Sequence, residues 1–321
     1  MILCAGLGTR LRPLTERWPK PALPILGAPL IRGRLEILHR AGVREVGINT
    51  HHLPQVMREV AAAECARLGM SLTAVHEPVL QGTGGGIRGL RDFLSQSDPF
   101  VVLNGDIAFE PSIEQLVTRH RESGADATMV LQALPAGEAF GAVEVDGAGR
   151  VRRIAGIGRG GEGLRPLHFT GVHVMSPRVF DFTGEGDEDI FRQVFQRLFA
   201  AGGHVQGVVV EGPWADLGTP GRYLAMVQQV VAGRWPPPSG CPVDAYERRG
   251  GAWIHRDARV DPSALIVGGS VIESGASVGP GARIEGSVIL GGAEIAAGSR
   301  VEAAIVASGI RASAAAVDVR P

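Results

Sequence analysis

From Ile254 onward a β-branched residue returns at mostly six-residue intervals: Ile254, Val260, Ile266, Val271, Val278, Ile284, Ile289, Ile295 and Val301, separated by glycine, alanine and serine. That period is too long for a helix face and too regular for an ordinary sheet. It suits a triangular coil in which each short strand forms one side and the aliphatic residue points inward, stacking on the coil below. The expectation is a left-handed parallel β-helix over residues 253–311, of roughly three coils at ~18 residues each. Gly/Ala-rich disorder is the competing reading, but disorder would not hold a β-branched residue on the period. Residues 312–321 are expected to fray as a C-terminal tail. Ahead of the repeat, residues 233–252 read as a linker, because Pro236, Pro237 and Pro238 in GRWPPPSGCP force an extended backbone.

Residues 1–232 carry a different rhythm. Apolar runs at Met1–Ala5, Val43–Asn49, Ser71–His76 and Phe100–Leu103 read as buried strands, with helical patterns between them at Leu30–Arg40 and Gln55–Leu68. This is the βαβ order of an α/β, Rossmann-like, doubly wound sheet. Closely spaced strands at Ala127–Gln132, Gly141–Val145, Val151–Ile154 and Phe169–Met175 predict an antiparallel insertion, making the sheet mixed. Helices at Asp189–Ala201 and Pro220–Ala232 close the domain.

The first strand runs directly into Gly6-Leu7-Gly8-Thr9-Arg10-Leu11-Arg12-Pro13-Leu14-Thr15, and Pro19-Lys20-Pro21 follows. Glycines after a strand allow the backbone to approach phosphate and offer its amides. The third glycine of a dinucleotide fingerprint is missing, since position 11 is leucine, and the Walker A spacing is absent. What adds weight is charge: Arg10, Arg12, Arg17 and Lys20 crowd this stretch against a single Glu16. Of the chain's 32 basic residues, Lys20 is the one lysine. A drift to arginine everywhere else implies that position 20 needs a compact ammonium on a flexible stem, which a planar guanidinium does not imitate. With a formal net charge of -1 there is no global field for nucleic acid or an anionic membrane, so a polyanion would be held by this local cluster.

The stretch Leu3–Pro21, LCAGLGTRLRPLTERWPKP, closely resembles the signature of the sugar-1-phosphate nucleotidyltransferases, whose Rossmann-like catalytic domain is often followed by a left-handed β-helix. Four later segments match that family in order, so the resemblance covers nearly the whole chain. The family's first strand usually has a few residues before it, whereas here it begins at Met1. The resemblance implies nucleotide contacts from Leu3, Ala5, Gly6, Gly8 and Thr9, with Arg10 on the β- and γ-phosphates and Lys20 on the α-phosphate as catalytic groups. Glu77-Pro78 with Gly82-Thr83-Gly84-Gly85-Gly86 resembles the base-binding loop, making Glu77, Gly82 and Thr83 further nucleotide contacts. Asn104-Gly105-Asp106 places an aspartate past a strand's C-terminal end, and Trp214-Ala215-Asp216 resembles the second metal-binding aspartate, so Asp106 and Asp216 would hold Mg2+. Asn104, Gly141, Thr170 and Gly171 would meet the sugar. The Glu-Lys-Pro that many members carry after a strand like Arg150–Ile154 is replaced by Ala155-Gly156-Ile157-Gly158, leaving Arg153 or Arg159 as substitutes for its lysine.

The resemblance implies condensation of a sugar 1-phosphate with a nucleoside triphosphate, releasing pyrophosphate. A carboxylate only accepts hydrogen bonds, and guanine offers two adjacent donors, so Glu77 leans the reading toward GTP and mannose 1-phosphate. The triple glycine Gly84–Gly86 resembles instead the N-acetylmuramate 1-phosphate uridylyltransferases, which keeps UTP, or dTTP with glucose 1-phosphate, as the alternative. Two readings from other classes are a regulatory homologue that binds nucleotide sugar and an acyltransferase built on the β-helix. The retained Lys20, Asp106 and Asp216 argue against the first, and the short repeat with His255 only at its entry argues against the second. The β-helix could drive homo-oligomerisation. Three scattered cysteines, no membrane-spanning run and an apolar start without a basic leader fit a cytoplasmic enzyme.

Overall fold

The computed structural model describes residues 1–134 and 141–313. The chain divides into two compact units, one of Met1–Gly6 with Ile37–Trp214, the other of Leu7–Glu36 with the chain from Ala215 onward. Helix α1 (Ile31–Arg40) runs across that division.

The first unit is a ten-stranded mixed sheet. Strands β1 (Ile2–Leu3), β2 (Glu45–Thr50), β3 (Ser71–His76) and β4 (Phe100–Asn104) are parallel, in the order β3-β2-β1-β4. The chain therefore steps outward from β1 to one edge and returns on β1's other side. That reversal leaves a crevice at the strands' C-terminal ends, where α/β sheets bind ligands. Helix α2 (Pro54–Arg67) links β2 to β3, and α3 (Gly82–Arg88) follows β3. Helix α4 (Ile113–Ser123) begins at Ser112, whose hydroxyl accepts from the Gln115 amide, and ends at Gly124 with φ +59°.

The insertion is antiparallel, as its closely spaced apolar runs predict. It comprises β5 (Ala127–Gln132), β6 (Val143–Val145), β7 (Val151–Ile154), β8 (Ile157–Gly158) and β9 (Arg165–Met175), and β10 (Val205–Val209) then adds parallel to β5. Strand β9 joins the two parts because it is long: Arg165–Leu167 pair with β6, and Val172–Met175 pair with β4. Its register against β5 shifts between Phe169 and His173, where Gly171 has φ +87°. The core on this side is aliphatic and aromatic, from Val102, Met129 and Leu131 to Val194, Phe195 and Leu198.

Two segments differ from expectation. Gly82–Arg88 is a helix rather than a loop, because each glycine lets a neighbour approach where a side chain would block it. A Cβ on Gly86 would lie 2.6 Å from Asn49 Nδ2, and one on Gly82 would lie 2.5 Å from the Glu188 carbonyl. The helix expected at Asp189–Ala201 is a π-helical turn over Ile190–Phe195 that continues as α-helix through Gln196–Ala200, with the Asp189 carboxylate accepting from the Phe191 and Arg192 amides.

In the second unit the C-terminal strands are parallel and stacked as a short β-helix. One side holds Ala252–His255, Val271–Ile272, Val288–Ile289 and Ala304–Ala307; the second holds Arg259–Val260, Ser277–Val278 and Glu294–Ile295; the third holds Leu265–Val267, Arg283–Glu285 and Arg300–Glu302. The interior is Ile254, Ile266, Ile272, Val278, Ile284, Ile289, Ile295 and Val301. The inward residue is thus Ile272, not Val271, and the six-residue step is unbroken from Ile254 to Ile284. Five-residue steps occur only where the third side turns into the first, as from Ile284 to Ile289, because that corner is Gly268-Gly269-Ser270 in one coil and the shorter Gly286-Ser287 in the next.

Val271, Val288 and Ile305 point outward on the first side and are still buried. The sequence shows why as adjacent aliphatic pairs, Val271-Ile272 and Val288-Ile289, where the strands of the other two sides, Leu265–Val267 excepted, alternate apolar with charged or polar residues. Helix α5 (Pro220–Val231) lies against that side, touching Ala304–Ala307, and Gln228 Nε2 donates to the Gly286 carbonyl at 3.1 Å. Within residues 233–252, Tyr246–Arg249 is an antiparallel strand on Ala252–His255, and Ile310–Ser313 does the same at the other end on Ala304–Ala307. These hairpins cover the first side's edges with the chain's own backbone. Most of the tail, residues 314–321, lies outside the described residues.

Candidate active site

In the second unit, short 3₁₀ turns at Thr9–Leu11, Leu14–Glu16 and Lys20–Ala22 fold the glycine- and arginine-rich stretch onto Leu11 and Leu14, both fully buried. Gly8 has φ +63°, and a Cβ there would stand 2.8 Å from Thr15 Cγ2 and 3.3 Å from Lys20 Cγ. Thr15 Oγ1 donates to the Gly8 carbonyl at 2.8 Å, closing the loop on itself. Gly6 and Thr9 are exposed, and nothing approaches the Cβ position of Gly6. That is the open backbone a phosphate requires.

Asp216 sits just ahead of α5 in the same unit. Its Oδ2 accepts from Arg222 Nη1 at 2.7 Å, while its Oδ1 is buried, accepts no hydrogen bond among the described residues and lies 3.9 Å from Lys20 Nζ. A Cβ on Gly218 would fall 2.8 Å from Arg10 Nη2 and 2.9 Å from Asp216 Oδ1. The structure therefore brings Arg10 and Asp216 together at one glycine, with Lys20 beside the Asp216 carboxylate. The carboxylate at position 216 is not spent on capping α5, since Thr219 Oγ1 accepts from the Arg222 amide and performs that task.

In the first unit, β1 ends between two asparagines, Leu3 pairing with Asn49 on β2 and Asn104 on β4. The Cys4 amide donates to Asn49 Oδ1 at 2.9 Å, and the Gly105 amide donates to the Leu3 carbonyl at 3.0 Å. Ala5 is buried. Asp106 is half-buried just past β4 and adds to the burial that pushes the Cys4 thiol well above its ordinary range. Among the described residues no group of three or more His, Cys, Asp or Glu side chains is placed to hold a metal. Magnesium asks for less: one or two carboxylates, with phosphate oxygens and water completing the shell. The buried Asp216 Oδ1, without a donor, is an oxygen of the kind such an ion takes.

Glu77 is 5% exposed, and its side chain is engaged within the unit. Oε1 accepts from Asn49 Nδ2 at 2.8 Å and Oε2 from the Gln81 amide at 3.0 Å. This carboxylate braces the turn into α3, and each of its oxygens keeps a lone pair beyond the one bond it accepts. Gly82, at φ +66°, opens α3, and Thr83 Oγ1 accepts from the Ile190 amide at 3.0 Å. The glycines' second support is Glu188, missed in the sequence: its carbonyl accepts from the Gly84 amide at 2.7 Å, and its buried carboxylate meets Arg88 and Arg197.

Thr170 is buried with its hydroxyl donated to the Val130 carbonyl at 2.8 Å, while Trp214 Nε1 donates to the Thr170 carbonyl at 3.0 Å. Gly171 admits Asn104, whose Cβ would be 3.0 Å from a Cβ at 171. Gly141 is exposed, 3.3 Å from Ala155 Cβ by the same construction. Ala155 and Gly156, at φ +47° and +87°, are the tip of the β7–β8 hairpin, so the absent lysine's place is a tight turn. Of its two possible substitutes, Arg153 is paired with Glu144 at 2.6 Å and Arg159 is exposed.

The sequence pattern of the family described as nucleotidyl transferase matches residues 1–232. The chain is 34% identical over 287 residues to a mannose-1-phosphate guanylyltransferase of Mycobacterium tuberculosis, covering 89% of this chain and 77% of that protein. It is 27% identical over 338 residues to a UTP–glucose-1-phosphate uridylyltransferase of Synechocystis, covering 88% of this chain and 85% of the relative. In fold it is similar to HddC from Yersinia pseudotuberculosis, with a TM-score of 0.58 at 21% identity over 70% of this chain and 95% of that one. HddC has also been solved with GMP-PN. No helix among the described residues is long and apolar enough to cross a membrane. By pattern, by relatives and by fold, the chain belongs to the nucleotidyl transferase family and is a sugar-1-phosphate nucleotidyltransferase.

Proposed function

We propose that this enzyme joins mannose 1-phosphate to the guanylyl group of GTP, releasing pyrophosphate. The observation that carries the chemistry is the meeting of Arg10 with Asp216 at Gly218, and of Lys20 with the buried Asp216 Oδ1, which has no hydrogen-bond donor among the described residues. The substrate choice rests on the 34% identity to a mannose-1-phosphate guanylyltransferase. A mannose 1-phosphate oxygen attacks the α-phosphorus in line, the new O–P bond forms as the bond to the β-phosphate oxygen breaks, and the electron pair leaves with pyrophosphate. Positioning and charge neutralisation do most of the work in such a transfer.

The Gly6–Thr9 backbone receives the phosphates, with Leu3, Ala5, Glu77, Gly82 and Thr83 around the nucleoside. The Arg10 guanidinium pairs with β- and γ-phosphate oxygens, for which its fork is suited. Lys20 neutralises the α-phosphate, where charge develops. Asp106 and Asp216 would hold Mg2+, which when bound supplies charge compensation between the two phosphates. Asn104, Gly141 and Gly171 border the sugar, and Thr170 offers it only the lone pairs left after its own donation to Val130. Residues 1–232 form the catalytic domain in this reading, the β-helix of 253–311 is an accessory, and the three free cysteines suit the cytoplasm.

A pyrophosphate-release screen of GTP, UTP, dTTP and ATP against several sugar 1-phosphates tests this. GTP with mannose 1-phosphate is expected to give the highest kcat/KM. Preference for UTP with glucose 1-phosphate would support the uridylyl reading instead, which the Synechocystis relative favours. Turnover with no pair in the presence of magnesium would sink both.

A further inference from the structure

Lys20 is followed at once by a two-residue hairpin, Pro24–Ile25 paired with Ala28–Pro29. Its turn residues Leu26 and Gly27 both have positive φ, +49° and +76°. Glycine adopts this freely, whereas leucine does so at a cost. Successive left-handed residues point their amides to one side and make a small anion-binding concavity. The anion is Glu273, from the middle of the β-helix: its Oε1 accepts from the Gly27 amide at 3.2 Å, and Tyr246 Oη donates to Oε2. Glu273 is 4% exposed, and Tyr246 belongs to the hairpin strand that caps the coil. A Cβ on Gly27 would lie 3.1 Å from Tyr246 Oη, so the turn is seated closely.

The hairpin is tied to the lysine turn at short range. The Leu23 amide donates to the Lys20 carbonyl at 3.1 Å, and the Leu30 amide donates to the Leu23 carbonyl at 3.0 Å. From the other side, Tyr223 on α5, the helix that follows Asp216, donates its hydroxyl to the Pro24 carbonyl. The same hairpin thus touches the element that carries Lys20, the helix that follows Asp216 and the coil.

We propose that Glu273, supported by Tyr246, is a positioning residue for Lys20, so that the β-helix sets the reactive geometry through the Leu26–Gly27 turn. This rests on the functional reading above, in which Lys20 attends the α-phosphate. Glu273→Ala leaves the Gly27 amide and the Tyr246 phenol without their acceptor, and the left-handed turn loses the group that favours it. Glu273→Gln keeps an acceptor oxygen for the Gly27 amide and can donate to Tyr246, so it serves as the rescuing variant.

The test measures kcat, KM and thermal stability together with backbone hydrogen exchange over residues 19–30, all below the unfolding transition of each variant. In Glu273→Ala, kcat is expected to fall roughly 10-fold to 100-fold, the loss that a misplacement of about 1 Å produces. KM for the sugar 1-phosphate should stay within about twofold, and exchange over 19–30 should accelerate while the coil strands remain protected. Glu273→Gln should recover most of kcat. An Ala variant with unchanged kcat and unchanged exchange over 19–30 overturns the proposal, as does a Gln variant no better than Ala. If the wild type turns over no substrate pair, the functional reading fails, and exchange over 19–30 still decides whether Glu273 holds the turn.

Discussion

Replacing Gly86 by alanine sets two effects of comparable size against each other. Position 86 lies in α3, so alanine gains about 1 kcal/mol of helix propensity over glycine. The added Cβ would stand 2.6 Å from Asn49 Nδ2 and 3.0 Å from Glu77 Oε1, wedging apart a hydrogen bond of 2.8 Å. Both partners are buried, Asn49 at 3% and Glu77 at 5% exposure, so water does not replace what is lost. A hydrogen bond to a charged group contributes about 1.5–3 kcal/mol, and overpacking a full site costs about 1–3 kcal/mol. These costs overlap, and the net expectation is destabilisation by about 2 kcal/mol, or roughly 5 °C in Tm for a unit of this size. Gly89→Ala is the control: the same substitution at the end of the same helix, where the nearest atoms to a Cβ are 3.5 Å away, is expected to be neutral or slightly stabilising. Denaturant unfolding of both variants decides. Because Asn49 also holds the Cys4 amide at the end of β1, KM for the nucleotide should rise in Gly86→Ala alone. A Gly86→Ala protein as stable as wild type, or a Gly89→Ala protein equally weakened, refutes close approach as the reason for the glycines.

His173 should make the fold sensitive to acid. Burial among Phe169, Phe191 and Phe195 lowers its pKa to about 3, and among the described residues neither ring nitrogen has a hydrogen-bond partner. The unfolded chain binds this proton more readily, so stability is full above an unfolded pKa of about 6.5 and is lost as pH falls toward 3, by about 2 kcal/mol at pH 5. Unfolding at pH 7 and pH 5 should differ by that amount in wild type and by much less in His173→Phe; an equal difference in both removes His173 as the cause. Lys20→Ala is expected to lower kcat roughly 10²–10³-fold with an unchanged circular dichroism spectrum, and Lys20→Arg to rescue little, because a guanidinium does not replace a compact ammonium. Near-normal pyrophosphate release from either variant would contradict the role given to that residue.

The alternation of strands and helices was legible because each strand is a short apolar run bounded by turn residues, and Ser71–His76, Ala127–Gln132 and Val151–Ile154 occur with the bounds read from sequence. The β-helix was legible from its period, down to the corner where one residue is dropped and Val271 was mistaken for its inward neighbour Ile272. What composition hid was close packing. Gly84–Gly86 has the look of a loop, and only the nearness of Asn49, Glu188 and Val194 explains why a helix carries three glycines in a row. Lys20 announced itself by being the one lysine. Glu273 could not, because its partner is a backbone amide 246 positions away. Arg222, which holds the second oxygen of Asp216, looks in the sequence like any other arginine near a helix start.

The most direct test of the account is the location of the metal. Crystals grown with Mn2+ in place of Mg2+ and a non-hydrolysable GTP analogue would reveal the ion by its anomalous scattering. One ion is expected, with carboxylate oxygens of both Asp106 and Asp216 at about 2.1 Å and Lys20 Nζ on the α-phosphate. An ion held by phosphates alone, or by other carboxylates with Asp216 still facing Arg222 and Lys20, would contradict it.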